Sequence, residues 1–188
     1  MDFQIFTGNP AELTADTLVV TINDNGELSA SAEKIDTASA GAVQARIKAK
    51  DITGAAGSSL TLYSLAGTDA SRTVIIGGGK DNLNAVDANK IANAIGKAIS
   101  GKEGTAAVDV SALATDSRPQ AWWAEQIVLA VHAAQYKFIA TLPGKEPTPA
   151  LDTLIWIGDD VKDALTVADA KGLGTSYAKE LGNMPPNI

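Results

Sequence analysis

Cysteine is absent from this chain of 188 residues, and histidine occurs once, as His132. Without cysteine the chain forms no disulfide and offers no thiolate to a metal, and a single histidine excludes a histidine-rich metal site. Aromatic residues make up 5% of the composition, with three tryptophans among them. We expect Trp122, Trp123 and Trp156 to lie in the core rather than to serve as stacking platforms for a ligand.

Positive charge is also scarce, since 15 lysines and arginines face 22 aspartates and glutamates and leave a formal net charge of -7. A protein this acidic gains nothing from a polyphosphate backbone unless its cations are clustered. No basic run is visible, so nucleic acid is an unfavoured partner. DNA binding would require basic residues to converge on one face, for example Lys48, Lys50, Lys97 and Lys102.

Long apolar runs are missing as well. The first residues, Met1–Phe6, do not combine a basic segment with an apolar stretch, so they do not predict a signal peptide. No apolar run in the sequence is long enough to span a membrane. We therefore expect a cytoplasmic protein without a membrane partner.

The clearest positive signal is a strand, a glycine turn and a helix in succession. Thr73–Ile76 is a β-branched apolar run, which predicts a strand buried on both faces. Four residues follow it directly: Gly77, Gly78, Gly79 and Lys80. A helix comes next, with Asp87 as its predicted cap and with Ile91, Ile95 and Ile99 on one face. This order is the unit of an α/β sheet, and ligands usually bind at such turns.

The glycine turn has two interpretations. Its backbone N–H groups and Lys80 can cradle a phosphate, which makes Gly77–Lys80 a weak candidate for cofactor binding. The alternative, which we favour, is a tight turn that packs a helix on the sheet. The sequence G-G-G-K has the spacing of neither a dinucleotide fingerprint nor a P-loop.

Elsewhere, strands and helices alternate along the chain. Further strands are predicted over Asp2–Phe6, Thr17–Ile22, Ser59–Leu65, Thr105–Val110, Tyr136–Leu142 and Leu151–Ile157. Further helices are predicted over Leu28–Ala38 and Gly41–Ala49, after a cap at Asp116 or Ser117, and over Val161–Leu181. The alternation predicts an α/β fold with a mixed, mainly parallel sheet, helices on both faces and at least one antiparallel edge.

Few other residues suggest chemistry. The carboxylates of Asp24, Glu27, Asp159 and Asp160 stand at loop or strand ends, where metal ligands can lie, although capping and solvated loops are the favoured explanation. His132 falls in the most apolar predicted helix and is expected to be packed rather than to act as a base. No G-x-S-x-G, H-E-x-x-H or Walker motif is present. Taken alone, these residues describe an α/β domain without an evident active site.

The last residues resemble a known family. Leu181–Asn187 ends a helix and reads L-G-N-M-P-P-N, which is similar to the segment that leads into the catalytic domain of leucyl aminopeptidases, also called cytosol aminopeptidases. Val74–Lys80 and Asp2–Phe6 resemble that family's amino-terminal domain. The resemblance implies a macrodomain-like three-layer domain over residues 1–160. It also implies that residues 161–188 form an interdomain helix and linker, leading to a catalytic domain absent from this chain.

The same resemblance implies what the full-length protein does. It would be a hexameric metal-dependent exopeptidase that releases amino-terminal residues from peptides, using two divalent metals, zinc or manganese. The family's metal-site signature, N-T-D-A-E-G-R, is not here, since Thr68–Ala70 continues with Ser71 and Arg72. No catalytic or metal residue can therefore be assigned. This domain is expected to be non-catalytic, to contact its own catalytic domain and other copies, and to serve assembly and access.

Two other functions stay open. Macrodomain-like folds often bind ADP-ribose, for which the glycine turn is suitable but no convincing acidic partner is apparent. DNA binding is the second alternative. For the last helix we expect the part from Leu173 onwards to be frayed or docked on a neighbouring molecule, with Leu173, Tyr177 and Leu181 exposed. Pro185 and Pro186 are expected to form a stiff linker.

Overall fold

A computed structural model describes residues 1–101, 103–141, 144, 146–147 and 149–184. The predicted proline linker at Pro185 and Pro186 therefore lies outside the described residues, as does Lys102. The described strands are β1 Asp2–Phe6, β2 Thr17–Ile22, β3 Ser59–Tyr63, β4 Arg72–Gly77, β5 Thr105–Val108 and β6 Thr153–Ile157. The described α-helices are α1 Ala30–Ala38, α2 Ala42–Lys48, α3 Ala85–Ile99, α4 Gln120–Gln135 and α5 Lys162–Asn183. None of these helices is both long and apolar enough to cross a membrane.

The strands form one sheet in the order β1-β6-β5-β2-β4-β3. Each neighbouring pair is parallel except β3 with β4, which gives the sheet the antiparallel edge that the sequence predicts. The two first strands are not neighbours, because β1 pairs with β6 and β2 lies between β5 and β4. The predicted fold class, a mixed and mainly parallel sheet with helices on both faces, is confirmed.

Two apolar layers cover the sheet, because successive side chains of a strand point to opposite faces. Val19 of β2 packs with Trp123 and Ile95 under α3, α4 and α5. Leu18 and Val20, one residue to either side, pack instead beneath α1 and α2. The six residues of β2 are all buried, as are those of β4. The predicted burial of the central strand on both faces is thus confirmed.

One predicted strand is wrong. Residues 136–141 of the predicted strand Tyr136–Leu142 form coil and turn, and Leu142 lies outside the described residues. The physical reason is that β6, the next strand along the chain, already pairs with β1 on one side and β5 on the other, so this segment cannot form a hairpin with it. The Tyr136 hydroxyl instead donates a hydrogen bond to Glu180 of α5, at 3.3 Å.

Two predicted helix caps are also wrong. The side chain of Asn84, not Asp87, caps α3, and it accepts a 2.8 Å hydrogen bond from the backbone N–H of Asp87. Helix α4 begins after Pro119 rather than after Asp116 or Ser117. Reciprocal backbone hydrogen bonds between Thr115 and Arg118 close a tight turn, which keeps the two intervening residues out of the helix.

Helix α5 presents two apolar faces, one buried and one exposed. Leu165 and Ala168 are fully buried in the core that α4 and the sheet share. Leu173, Tyr177 and Leu181 lie on a different face and are 58%, 67% and 53% exposed. Their predicted exposure is confirmed, although the structure is helical up to Asn183. We call these three residues the α5 apolar face.

Candidate functional site

A cleft of about 310 Å³ lies where three neighbouring strands end. Its walls come from the loop after β2, the glycine turn after β4 and the short helical turn after β5. Parallel strands bring their carboxyl ends to one edge of a sheet, and ligands of open α/β sheets bind there. Gly78, Gly79 and Lys80 are among the residues that line this cleft. The glycine turn that the sequence gives as a weak candidate for cofactor binding therefore lies at a cleft.

The N–H groups of the glycine turn already have partners. Gly77 donates to the Ser58 carbonyl at 2.8 Å, and Gly78 donates to the Ile22 carbonyl at 2.6 Å. Gly79 donates to the Gly54 carbonyl at 2.9 Å. Because these donors are occupied, a phosphate cannot be held by them as in a phosphate-binding loop. Phosphate binding by this segment stays a prediction that depends on the exposed Lys80.

Packing explains why glycine stands at these positions. A Cβ at Gly78 would lie 2.6 Å from Cδ2 of Leu113, and one at Gly77 would collide with the carbonyl of Ala55. Gly79 has φ +70°, a conformation that other residues rarely adopt. The three glycines let the turn fit between the segment around Ala55 and the helical turn after β5.

Thr21, which lines the same cleft, has a buried polar group. It belongs to β2, lines the cleft and is 1% exposed. Its hydroxyl oxygen is buried without a hydrogen-bond partner among the described residues. Thr21 shares a face of β2 with Val19, so it lies on the same side as the apolar wall that Leu83 and Leu113 form.

Charged groups of both signs surround the cleft. Lys80, Asp81 and Glu27 line it, and all three are exposed. The Glu27 carboxylate accepts a hydrogen bond from the side chain of Asn23. Ser29 caps the amino terminus of α1 by accepting a 3.2 Å hydrogen bond from the N–H of Ala32, and it also lines the cleft. The helix dipole adds partial positive charge at that point.

The other carboxylates considered as metal ligands do not come together. Asp160 accepts a hydrogen bond from the backbone N–H of Lys162 at the start of α5, and the N–H of Asp159 donates to the side chain of Gln120. Asp24 lies in the exposed loop after β2. Within the described ranges, no three His, Asp or Glu side chains are placed to hold a metal ion.

His132 is packed between two helices. Its Nε2 lies 2.7 Å from Oδ1 of Asp169 in α5, and its ring lies against Gly172. The amino group of Met1 lies 3.9 Å from the other oxygen of Asp169. Sequence reasoning missed Asp169, since 37 residues separate it from the histidine and no local spacing links them. The contacts join helices α4 and α5.

The tryptophans lie in or against the core, and the lysines considered for DNA binding include two on opposite faces of the sheet. Trp123 and Trp156 are fully buried, and Trp122 is half-buried with its ring edge-on to that of Trp123. Lys48 belongs to α2 and Lys97 to α3, which cover opposite faces of the sheet. Lys48 and Lys97, two of the four lysines considered for DNA binding, thus lie in different layers.

Comparison with protein families and curated proteins gives a consistent result. The family described as the cytosol aminopeptidase family, N-terminal domain, matches residues 19–141. A probable cytosol aminopeptidase of Xanthomonas oryzae pv. oryzae is 34% identical over 197 residues, and one of Pseudomonas syringae pv. syringae is 32% identical over 195. Each alignment covers 100% of this chain but 39% of the relative. The chain thus spans about two fifths of the length of these relatives.

Solved structures show the same fold. A mutant of tomato leucine aminopeptidase matches with a TM-score of 0.74 at 16% identity, covering 100% of this chain and 39% of its own. The bottromycin maturation enzyme BotP, in a complex with Mn, matches with a TM-score of 0.64 at 16% identity. That match covers 92% of this chain and 32% of the BotP chain.

Proposed function

This chain belongs to the cytosol aminopeptidase family as its amino-terminal domain, and we propose that it serves a metal-dependent aminopeptidase as a non-catalytic domain for assembly and access. The full-length protein would remove amino-terminal residues from peptides in the cytoplasm. Its domain boundary would fall near residue 160, with residues 161–188 as the connection to the catalytic domain. The proposed partners of this domain are that catalytic domain and further copies in a hexamer.

The α5 apolar face is the observation that carries this proposal. Leu173, Tyr177 and Leu181 follow one another at intervals of four residues, so they form one exposed stripe on the second half of α5. The first half of α5 is buried in the domain core through Leu165 and Ala168. An exposed apolar stripe on a helix that is otherwise docked marks a surface for another protein.

The length of the relatives supports a catalytic domain as the proposed partner of that surface. They are more than twice as long as this chain, and the match to this domain covers 39% of them. Helix α5, which carries the α5 apolar face, is the last described element, and we propose that in such a protein it leads to the catalytic domain. A catalytic domain attached there can cover the stripe without a long linker.

The residues described here do not fit the two zinc or manganese ions that the family implies. No cluster of three suitable side chains exists among them. We therefore propose that the metals belong to the carboxy-terminal part of the full-length protein, and we derive no catalytic step in this domain. The Mn in the BotP structure is consistent with this proposal as a property of that relative.

A chimeric enzyme tests the proposal. The amino-terminal part of the Xanthomonas oryzae relative is replaced by these 188 residues, and the hydrolysis of leucine p-nitroanilide is measured with zinc or manganese. We expect the chimera to be active and oligomeric, whereas the 188-residue chain alone is inactive. Replacing Tyr177 and Leu181 with aspartate should impair assembly and activity, because it buries charge at an apolar interface.

Val86→Asp is the matched control. Val86 is an apolar residue of α3 with 65% exposure, remote in sequence from α5, and its substitution should leave assembly unchanged. Activity of the isolated chain that a chelator abolishes would overturn the non-catalytic assignment. Full assembly and activity of the Tyr177→Asp, Leu181→Asp chimera would overturn the role of the α5 apolar face.

A further inference from the structure

We propose that the cleft at the ends of β2, β4 and β5 binds a free α-amino acid with an apolar side chain. The first argument is Thr21, whose hydroxyl is buried without a partner among the described residues while Thr21 lines the cleft. A buried hydroxyl without a hydrogen bond is unfavourable, and such groups in native proteins call for an explanation. A polar ligand that reaches the Thr21 side chain at the wall of the cleft would supply the missing partner.

The second argument is the size and lining of the cleft. A volume of about 310 Å³ is at the small end of ligand pockets, so it suits a small molecule. Leu28, Leu83 and Leu113 give it apolar walls. Leu83 and Leu113 pack against the core beneath α3 and α4, and Leu28 packs against the core beneath α1. These walls are therefore held in place by the fold and can receive an aliphatic side chain.

The third argument is the presence of both signs of charge in so small a space. Lys80 and the capped amino terminus of α1 at Ser29 favour a carboxylate. Glu27 and Asp81 favour an ammonium group. A ligand with a single charge would be repelled by the groups of the same sign in the cleft. A zwitterion with an apolar side chain satisfies both, and a free α-amino acid is the simplest such molecule.

This inference goes beyond the assembly role and does not depend on it. Free amino acids are the products that an aminopeptidase releases, so a site for them on a non-catalytic domain would let product concentration act on the enzyme. Binding to the isolated domain can be measured whether or not the domain belongs to an active aminopeptidase. Failure of one proposal is therefore distinguishable from failure of the other.

The probe is L-leucine, added to the 188-residue chain labelled with ¹⁵N and followed by amide chemical shifts. We expect shifts centred on Asn23, Ser29 and Gly79, which line the cleft. Two analogues serve as comparisons: isopentylamine, which lacks the carboxylate, and 4-methylpentanoate, which lacks the ammonium group. The affinity of each analogue should be lower than that of L-leucine by about tenfold or more, because each loses a charged contact. Equal binding of either analogue, or shifts elsewhere on the domain, would overturn the proposal.

Two threonines provide a matched pair of variants. Thr21→Val removes the hydroxyl while keeping the shape of the side chain, and it should weaken leucine binding about three- to tenfold. Thr73 is likewise buried with an unpartnered hydroxyl, but it lies at the opposite end of β4 and does not line the cleft. Thr73→Val should leave leucine binding unchanged. Equal leucine affinity in the Thr21→Val and wild-type proteins would contradict the assigned role of Thr21.

Glu27→Gln tests the ammonium contact separately. Glutamine keeps an oxygen that can accept the hydrogen bond from Asn23, so the loop is preserved while the charge is removed. Leucine binding should weaken, whereas the already weak binding of 4-methylpentanoate should not. An equal loss for both probes would show that Glu27 only supports the loop and would remove the ammonium site from the proposal.

Discussion

At the scale of single residues, Gly172 shows how a local cost signals a tertiary contact. Glycine inside a helix is less favourable than alanine by about 1 kcal/mol. Gly172 is buried, and a Cβ there would collide with the imidazole ring of His132. Gly174, two residues further along α5, has nothing within 4 Å of the same position. The sequence shows both of these glycines inside the predicted helix, but only the structure shows that Gly172 packs against a side chain while Gly174 does not.

These two glycines give opposite predictions. Gly172→Ala should lower the free energy of unfolding by about 1–3 kcal/mol, because His132 is held by Asp169 and the added methyl group overpacks the contact. Gly174→Ala should raise it by about 0.5–1 kcal/mol through helix propensity alone. Urea denaturation measures both variants.

A double variant checks the cause of the first effect. In a His132→Ala background the ring is gone, so Gly172→Ala should no longer be destabilising. If the loss of stability were the same with and without His132, the proposed collision would not be its source.

Asp16 gives a prediction about pH. Its carboxylate accepts hydrogen bonds from the N–H and hydroxyl of Thr105, at 2.7 and 3.0 Å, and so joins the start of β2 to that of β5. The Thr105 backbone bond, followed by its hydroxyl, holds the pKa of Asp16 below its ordinary value of 3.8. A carboxyl whose pKa is lowered by folding stabilises the fold above its unfolded-state pKa and loses this effect as the pH falls through the folded-state pKa.

Asp16→Asn should therefore destabilise the domain at pH 7 by about 0.5–1 kcal/mol, a modest amount because solvent screens an exposed carboxylate. The difference in unfolding free energy between the variant and the wild type should become smaller as the pH falls below about 4. Asp24→Asn removes the same charge from an exposed loop and should have little effect. If the loss of unfolding free energy in Asp16→Asn were the same in acid as at pH 7, this account would be contradicted.

At the scale of elements, the sequence predicted most strands and helices because the signals are local. Alternation and β-branched runs give β1 and β2 with their observed bounds. The caps were harder, since Asn84 and Asp87 both suit a cap and hydrogen-bond each other through their side chains. Tyr136–Leu142 has strand-like residues, but a strand also requires a partner strand, and the Tyr136 side chain contacts helix α5 instead. The residues of the segment alone do not show whether such a partner is available.

Helix α5 is the element whose stability differs along its length. Its first half is buried through Leu165 and Ala168. Three residues of its second half contact the side chain of Tyr136. The Tyr136 hydroxyl donates to Glu180 and accepts from Asn183 at 3.0 Å, and the ammonium group of Lys179 lies 5.4 Å from the ring centre. We therefore expect amides 175–181 to exchange hydrogen faster than amides 165–172.

Tyr136→Phe should speed exchange in residues 177–183 roughly threefold, because it removes the hydroxyl but keeps the ring. Exchange in the first half of α5 should not change. Tyr177→Phe is the matched control, since Tyr177 is 67% exposed. Slow exchange of amides 175–181 in a monomeric chain would mean that the second half of α5 is fully docked on its own domain. The fraying predicted from the sequence would then be wrong.

At the scale of the whole molecule, the order of the strands was beyond local sequence patterns. The last strand, β6, enters the sheet between β1 and β5, so Phe3 pairs with Leu154 across most of the chain. The cleft has the same origin, because its three walls are loops that only the completed sheet brings together. Sequence analysis identified the glycine turn but could not show Thr21 beside it. Nor could it show that the glycine N–H groups are occupied.

This arrangement leads to a prediction about ADP-ribose, the ligand that a macrodomain-like fold suggests. The cleft holds about 310 Å³, at the lower limit of ligand pockets and small for a molecule with two phosphates, two riboses and a base. The N–H groups of Gly77, Gly78 and Gly79 donate to backbone carbonyls and cannot bind the diphosphate. Lys80 is exposed, so its charge is screened and gives little affinity alone.

We therefore expect calorimetry to detect no micromolar binding of ADP-ribose to this domain, even if L-leucine binds in the same cleft. A micromolar site that is lost in Gly78→Val would refute this prediction. Because valine at that position presses on Leu113, folding of the variant must be checked by circular dichroism. Lys80→Ala leaves the backbone intact and gives a second test. If Lys80→Ala abolished a micromolar site, binding would depend on the Lys80 ammonium group. If Lys80→Ala left the site intact while Gly78→Val abolished it, the glycine N–H groups would have to exchange their present carbonyl partners for the ligand.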